Sequence, residues 1–397
     1  MAKFFWPFLA NVALFAAIAC FYPFLVIYYR QQGLSGPQIG LLSGLTPLLT
    51  LLGAPLWTNL ADATRRHRLV FCLMIVVTAA TLALLPTLHA FAPLLVMIVV
   101  LSACFAPIIA LLDSATLAML GNRRELYGRV RVGGTLGYVV TGALIGALVQ
   151  RAGLQFSFWT GTALLLVLLL AAQRLSFGEA SPGAPPPGAA PVGAPQPAAR
   201  AGGSVRTLLA DRRWWPFLAL AFAGGLASVI SSNYLFAYMR ELGAPESSMG
   251  LAITLSVVSE VPVLFFGNRL VSRFGPYPVL LAAMLITGLR LLLFFFAVTP
   301  TWVLLFQLLN GLTFPLMWVA GVAYAHAHAP PNLAATAQGL FGAMVYGFGD
   351  AVGGFAGGPL FERFGGRATY ILFGVIILGI VALVAGLQRR AAEPAAW

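Results

Sequence analysis

The chain has 397 residues, of which 60% are hydrophobic and only 9% are charged. Soluble domains carry about 25% charged residues, so this composition excludes an ordinary soluble protein and indicates an integral membrane protein. The net charge of +12 does not indicate a nucleic-acid-binding face, because the basic residues lie in short segments between apolar runs. Lys3 is the only lysine among 23 basic residues, a bias that we interpret as bacterial.

Apolar runs long enough to cross a bilayer follow one another along almost the whole chain. They predict an all-α membrane protein with twelve transmembrane helices, six on each side of a central break. The predicted helices are 4–29, 37–57, 69–86, 93–119, 132–150, 155–173, 214–239, 249–266, 278–297, 301–325, 335–358 and 368–388. We expect two pseudo-symmetric six-helix bundles, at 1–173 and 212–397.

The segment 174–211 joins the two predicted bundles. Its middle, Ser181–Gly203, is rich in Pro, Gly and Ala and cannot build a core, so we expect a disordered cytoplasmic linker. Cys20, Cys72 and Cys104 each lie inside an apolar run, which indicates packed thiols rather than a disulfide or metal framework.

The distribution of basic residues predicts the orientation of the helices. With the N-terminus inside, the inner segments hold seventeen Lys and Arg residues and the outer segments hold five, while Arg290 lies within a helix. The positive-inside rule then predicts that both termini are cytoplasmic, in the inner membrane of a bacterium.

Two segments that lie 210 residues apart indicate an internal repeat. Trp57–Arg65 (WTNLADATR) and Gly267–Gly275 (GNRLVSRFG) each follow the predicted second helix of their half. Two six-helix halves related by a repeat are typical of transporters. The alternative is two unrelated arginine-containing loops.

Four segments carry a family resemblance: Phe21–Arg30, Pro55–Asp62, Tyr127–Tyr138 (YGRVRVGGTLGY) and Phe265–Gly275 (FFGNRLVSRFG). With them the chain resembles the major facilitator superfamily, and within it the lactose permease and phenylpropionate permease branch. The resemblance implies alternating access, with a substrate site between the halves near mid-membrane. Lactose permease carries a His and a Glu in helix 10 for proton coupling. The matching positions here are Asn310 and Thr313, so lactose and that coupling site are not implied.

Four ionisable residues lie within predicted helices, where a charge is costly and therefore a functional candidate. They are Asp113, Glu260, Arg290 and Asp350. The alternative for each is a structural ion pair or a position nearer the interface.

The family resemblance implies a role in substrate binding for several residues. Asp113 and Arg131 match an acid and an arginine that bind substrate in the lactose permease branch, and Tyr138 matches an aromatic residue that stacks on it. We expect Arg290 and Asn310 to contribute from the C-terminal half. For Asp113 and Arg131, the alternative is a staple between helices 4 and 5.

Glu260 and Arg290 lie on consecutive helices, at depths that differ by roughly 9 Å of helical rise. We hypothesise that Arg290 holds Glu260 ionised until a carboxylate substrate captures Arg290, whereupon Glu260 takes up a proton. The alternative is a static ion pair. Asp350 is the second candidate for proton coupling.

Asp62, Arg65, Arg66 and Arg68 lie in the predicted inner loop between helices 2 and 3. The resemblance implies a gate that opens as the halves rock, and the alternative is a solvated basic loop. The superfamily usually has glycine at the positions of Thr58 and Arg65.

No motif indicates an enzyme or a cofactor, and His326 and His328, two residues apart, point to different helix faces, which disfavours a metal site. We expect a monomeric, proton-coupled symporter of a small organic solute. An aromatic or other small carboxylate is the first expectation for the solute, and a sugar or nucleoside the second. A proton-driven exporter, and a membrane enzyme or scaffold, are the alternatives.

Overall fold

The computed structural model describes residues 2–121, 123–177, 205–330 and 333–392, and it contains no β-strand in these ranges. In the same ranges, nine helices are long and apolar enough to cross a membrane, and two further spans are helix pairs bent at a short break. The longest of the nine, Ala334–Gln388, has 55 residues. It consists of two helices, because Gly365 has φ 75° and ψ 174°, which are not helical. The described part of the chain thus holds the twelve predicted spans.

The twelve spans are numbered in chain order. They are α1 Phe4–Gln31, α2 Gly36–Thr64, α3 His67–Thr87, α4 Phe91–Leu120, α5 Tyr127–Ala152, α6 Gln155–Ala172, α7 Trp214–Asn233, α8 Glu246–Phe274, α9 Pro276–Phe295, α10 Pro300–Gln307 with Asn310–His328, α11 334–364 and α12 366–392. Val205–Ala210 forms a short helix before α7, and Leu235–Glu241 continues α7. Most of the predicted linker, 178–204, lies outside the described residues.

Two helices continue beyond the segments that hydropathy marks. The sequence predicts that Asp62 lies in a loop, but α2 continues to Thr64 and Asp62 lies in its last turn. Similarly, α8 includes most of Gly267–Gly275. The predicted loops are wrong here because a helix can continue past the hydrocarbon layer, where polar side chains reach water and the helical hydrogen bonds persist.

The sequence predicts one continuous helix over 301–325, and this prediction is also wrong. The two parts of α10 are bent by 47°. They join through a 3₁₀ turn at Asn310–Leu312 and through Thr313, whose φ of −101° and ψ of −99° are not helical. Pro315, at the start of the second part, has no N–H to continue the backbone hydrogen bonds across the turn.

The backbone conformation repeats between the two halves of the sequence. Positive φ angles occur at Gly33 and Gly243, at Arg65 and Gly275, and at Gly153 and Gly365. The members of each pair lie 210 or 212 residues apart, and each follows a helix. The repeat predicted from two short segments is therefore present in the backbone.

The helices form two compact units. The first contains Met1–Leu34, Leu45–Gln196 and Pro245–Thr254, and the second contains Ser35–Gly44, Pro197–Ala244 and Leu255–Trp397. The division falls inside the predicted linker, and each unit also takes one helix end from the other half of the sequence. The predicted domain boundaries at 173 and 212 stay a prediction.

Candidate functional site

Asp113 of α4 and Arg131 of α5 form an ion pair in the first unit. Asp113 Oδ1 lies 3.1 Å from Arg131 Nη1, and the two side chains are 16% and 20% exposed. Arg131 also donates to Asn11 Oδ1 of α1 at 3.4 Å, and its guanidinium lies 4.6 Å from the centre of the Phe15 ring. The structure therefore brings two predicted binding residues together and adds α1 to the cluster.

Glycine in α5 explains how Arg131 comes close to α1. A Cβ atom on Gly133 would lie 2.9 Å from the Phe8 ring, so a larger residue would hold the two helices apart. Tyr138 is half-buried and lies seven residues beyond Arg131. Seven residues make about two helical turns, so Tyr138 shares a face of α5 with Arg131.

Arg290 of α9 is buried in the second unit, with 3% of its surface exposed. Its Nε donates to the Phe306 carbonyl oxygen at 3.0 Å, and its Nη2 donates to Gln307 Oε1. Its Nη1 donates to Asn310 Oδ1 at 2.9 Å and to Thr313 Oγ1 at 3.3 Å. All of these acceptors are neutral oxygens of α10. The Phe306 carbonyl also accepts the Leu309 N–H at 3.2 Å in the turn that breaks α10. Gln307, Asn310 and Thr313 are spaced three residues apart, so their side chains share one face of α10 and meet Arg290 together.

Asn310 joins Arg290 to Glu260 of α8. Its Oδ1 accepts from Arg290, and its Nδ2 donates to Glu260 Oε1 at 2.9 Å. Gly311 allows α8 and α10 to approach, because a Cβ atom there would overlap the Ser259 carbonyl. Among the described residues, the ion pairs within 4.0 Å do not include Arg290 with Glu260. The amide of Asn310 thus mediates the contact that the sequence predicts to be direct.

Asp350 of α11 follows a π-helical turn, Ala343–Gly349. Its Oδ1 is buried and has no hydrogen-bond partner in the described part of the chain. The Ser228 side chain of α7 approaches the carboxylate. Gly225 brings the α7 backbone against this turn, because a Cβ atom there would lie 2.9 Å from Asp350 N. The contacts of Asp350 therefore lie on α7.

Asp62 pairs with His67 rather than with a neighbouring arginine. Asp62 Oδ1 lies 2.8 Å from His67 Nε2, and the two side chains are 69% and 21% exposed. Arg68 donates through Nη2 to the carbonyl oxygens of Gln173 and Leu175, each at 2.8 Å. Arg68 thereby ties the start of α3 to the end of α6.

Arg65 and Arg66 are the two residues between α2 and α3, and both are exposed. Arg65 has φ 54°, the only positive φ of a non-glycine residue in the described ranges. A left-handed backbone is strained for any residue with a Cβ atom. This conformation explains why glycine is usual here in the superfamily that the sequence resembles.

Comparison with known proteins decides the family, since the profile of the MFS_1-like family matches residues 11–372. The chain belongs to this family of major facilitator superfamily transporters. It is 29% identical to a maltose permease of Geobacillus stearothermophilus, over 96% of this chain and 94% of that one. It is 25% identical to a probable 3-phenylpropionic acid transporter of Escherichia coli (strain K12), over 98% of each chain.

A solved structure gives the same fold. The crystal structure of the nucleoside transporter NupG matches with a TM-score of 0.77 at 17% identity, over 98% of this chain and 99% of NupG. The predicted family and the predicted twelve-helix major facilitator fold are therefore confirmed. The relatives are permeases and transporters, which also confirms that this multi-pass membrane protein is a transporter and not an enzyme.

Sequence reasoning missed three residues of these clusters in the transporter. Asn11 and Gln307 are polar residues within apolar runs, so the argument that singles out intramembrane charges would have found them if extended to amides. His67 carried no such signal. It becomes the partner of Asp62 only because α2 continues for two turns beyond its apolar part.

Proposed function

We propose that this transporter is a proton-coupled symporter that imports a small, neutral, hydroxyl-rich solute such as a sugar or nucleoside. It works by alternating access in the bacterial cytoplasmic membrane, as a monomer without a cofactor. The basic residues, seventeen on the inner side against five, support cytoplasmic termini. The relatives named for maltose and for nucleosides support the class of solute.

The arrangement of charges favours a neutral solute. Arg131 is already paired with Asp113, and Arg290 already donates four hydrogen bonds. Asp113 offers acceptors to solute hydroxyls, Arg131 offers donors, and Tyr138 offers an aromatic face on the same side of α5. In this proposal these three residues bind solute, and so do Arg290 and Asn310.

The observation that carries the proposal is the sharing of Asn310 between Arg290 and Glu260. Solute hydroxyls that bind Asn310 and Arg290 compete for the donor that stabilises the Glu260 carboxylate. A charged carboxylate without donors is costly inside the membrane, so Glu260 takes up a proton when solute binds. Solute and proton then bind with positive coupling, which is reciprocal by linkage. Asp350 is the second candidate for this coupling role.

The α2–α3 connection is the inner gate in this proposal, with Asp62, Arg65, Arg66 and Arg68 as its charged residues. The hydrogen-bonded pair of Asp62 and His67 is largely exposed on the side of the acid. Such a pair contributes about 0–1 kcal/mol, so it can break and re-form in each transport cycle.

A small carboxylate, aromatic or not, is the second candidate solute. The relative named for 3-phenylpropionic acid favours it, because that likeness covers 98% of both chains. A carboxylate requires a counter-ion, and it would have to displace Asp113 from Arg131 or Asn310 from Arg290. A neutral solute needs no counter-ion, and in this proposal it competes only for the Asn310 donor to Glu260.

The test is proton-driven uptake into liposomes that contain the purified chain, with labelled maltose, uridine and 3-phenylpropionate as separate probes. We expect an inward proton gradient to drive accumulation of a neutral probe. Glu260→Gln should abolish accumulation but retain exchange of solute between the two sides, because the proton step is lost and the binding residues remain. Glu246→Gln, at the first residue of the same helix, is the matched control and should accumulate normally.

Three results would contradict the proposal. Accumulation of only 3-phenylpropionate would favour the carboxylate. Movement of solute toward the acidic side would indicate an exporter. Normal accumulation by Glu260→Gln would exclude Glu260 as the coupling residue and direct the test to Asp350.

A further inference from the structure

Four aromatic side chains of α10 and α11 pack together in the second unit. The ring centre of Trp318 lies 5.0 Å from those of Tyr346 and Phe341, and 6.1 Å from that of Phe314, with which it is stacked. Phe314 and Trp318 are four residues apart, so they share one face of α10. Trp318 and Tyr346 are half-buried. The two helices thus present a partly accessible aromatic surface.

On the same two helices, two further polar atoms are buried without a hydrogen-bond partner in the described part of the chain. They are Nε1 of Trp318 and Oδ1 of Asp350. Tyr346 connects them, because its ring contacts Trp318 and it lies four residues, about one turn, before Asp350 on α11. Buried polar groups without partners are uncommon in folded proteins and call for an explanation.

Packing alone does not explain these atoms. An indole ring at position 318 could be replaced by a phenyl ring if only stacking mattered. In the described ranges no Arg, Lys or His approaches the Asp350 carboxylate within 4.0 Å, and its neighbour Ser228 is neutral. A buried acid without a counter-ion is costly in a membrane and is a functional candidate.

The two unpartnered atoms have complementary chemistry. The indole N–H can only donate, and the ionised carboxylate can only accept. Hydroxyl groups satisfy both, because each hydroxyl donates and accepts. The aromatic surface of Trp318 and Tyr346 suits the apolar C–H face of a ring. A carboxylate ligand fits poorly, since it would meet the Asp350 charge without a cation to compensate it.

We propose that Trp318, Tyr346 and Asp350 form a binding site for a hydroxyl-bearing sugar ring, whether a free sugar or the ribose of a nucleoside. The ring lies against Trp318 and Tyr346. One hydroxyl accepts from Trp318 Nε1 and another donates to Asp350. This assignment rests on the neutral solute of the proposed function, and it makes Asp350 a substrate ligand rather than a coupling residue.

Equilibrium binding tests the site without a proton gradient. Labelled maltose and labelled uridine are titrated against the purified full chain in detergent, with 3-phenylpropionate as a competitor. We expect one or both sugar-bearing probes to bind and 3-phenylpropionate not to compete. Trp318→Phe should weaken binding about 2–10-fold by removing one neutral hydrogen bond, and Asp350→Asn about 10–100-fold by removing a charged one.

Trp302→Phe is the matched control, because Trp302 lies in the first part of α10 and is 44% exposed. It should bind with unchanged affinity. Wild-type affinity in Trp318→Phe would overturn the proposal. This variant keeps an aromatic ring at position 318, so it still tests the site if Asp350→Asn does not fold. Failure of both maltose and uridine to bind the unmodified chain would also overturn it. If the chain binds maltose but does not accumulate it, the proton coupling of the proposed function is contradicted and the proposed binding site is not.

Discussion

Arg65 ends α2 with a φ of 54°, and its N–H donates to the Asp62 carbonyl oxygen at 3.3 Å. A left-handed backbone costs a residue with a Cβ atom about 1–2 kcal/mol, and glycine escapes this cost. Glycine also loses about 0.4–1 kcal/mol more entropy on folding. Arg65→Gly should therefore stabilise the chain, by about 0.5–1 kcal/mol, although it removes a charge and a long side chain.

Arg65→Ala is the matched control, because it removes the same charge but keeps the Cβ atom. At an ordinary helical position alanine is more stable than glycine by about 1 kcal/mol, so the expected order here is reversed. Thermal unfolding of the purified variants in detergent measures the difference. At about 2 cal/mol/K of unfolding entropy per residue, 1 kcal/mol in a chain of 397 residues shifts the midpoint by about 1 °C.

The repeat supplies a reciprocal test at Gly275, which has φ 85° at the corresponding end of α8. Gly275→Ala should destabilise the chain by an amount similar to the difference between the two Arg65 variants. If Arg65→Ala unfolds at or above the temperature of Arg65→Gly, the left-handed backbone at Arg65 is refuted. Transport by the two Arg65 variants should be equal, because both lack the charge assigned to the gate.

Two further predictions concern topology and the gate. Protease should cut the segment Ser181–Gly203 in inside-out vesicles and not in right-side-out vesicles. The composition of this segment cannot pack into a core, and we assign the segment to the cytoplasm. Protection in inside-out vesicles would mean that the orientation is the reverse. Asp62→Asn should fold normally but transport more slowly, because the pair with His67 loses its charge, and an unchanged initial rate in liposomes would reduce Asp62 to a surface residue.

Hydropathy predicted the existence of the helices better than it predicted their ends. An apolar run locates the part of a helix that lies in hydrocarbon, so all twelve spans were found. It says little about the polar turns beyond, and Asp62 was therefore assigned to a loop although it lies in α2. Backbone conformation, not hydropathy, ends that helix at Arg65.

The second-unit cluster could be predicted only in part. The cost of charge in a membrane singled out Glu260 and Arg290, and the family resemblance added Asn310. Their connection depends on the break in α10, which turns the Asn310 amide between the two charges. Pro315 and Gly311 indicate that break in the sequence. The segment 301–325 is apolar throughout, however, so hydropathy predicts one continuous helix there.

The repeat shows why the scaffold could be predicted more fully than the chemistry. Tyr28 donates to the carbonyl oxygens of Leu85 and Leu88, and Tyr238, 210 residues later, donates to those of Phe294 and Ala297. Such residues recur because both halves must end the same helices and satisfy the same backbone groups.

The charged residues of the two clusters do not recur in this way. The positions 210 residues from Asp113, Glu260 and Arg290 hold Ala323, Thr50 and Ala80, none of which is charged. A helix end is constrained by backbone geometry, which both halves share, whereas the charged side chains of each cluster are constrained by their own contacts, which differ between the halves. The repeat therefore predicts the fold of one half from the other, but each functional residue must be argued from its own contacts.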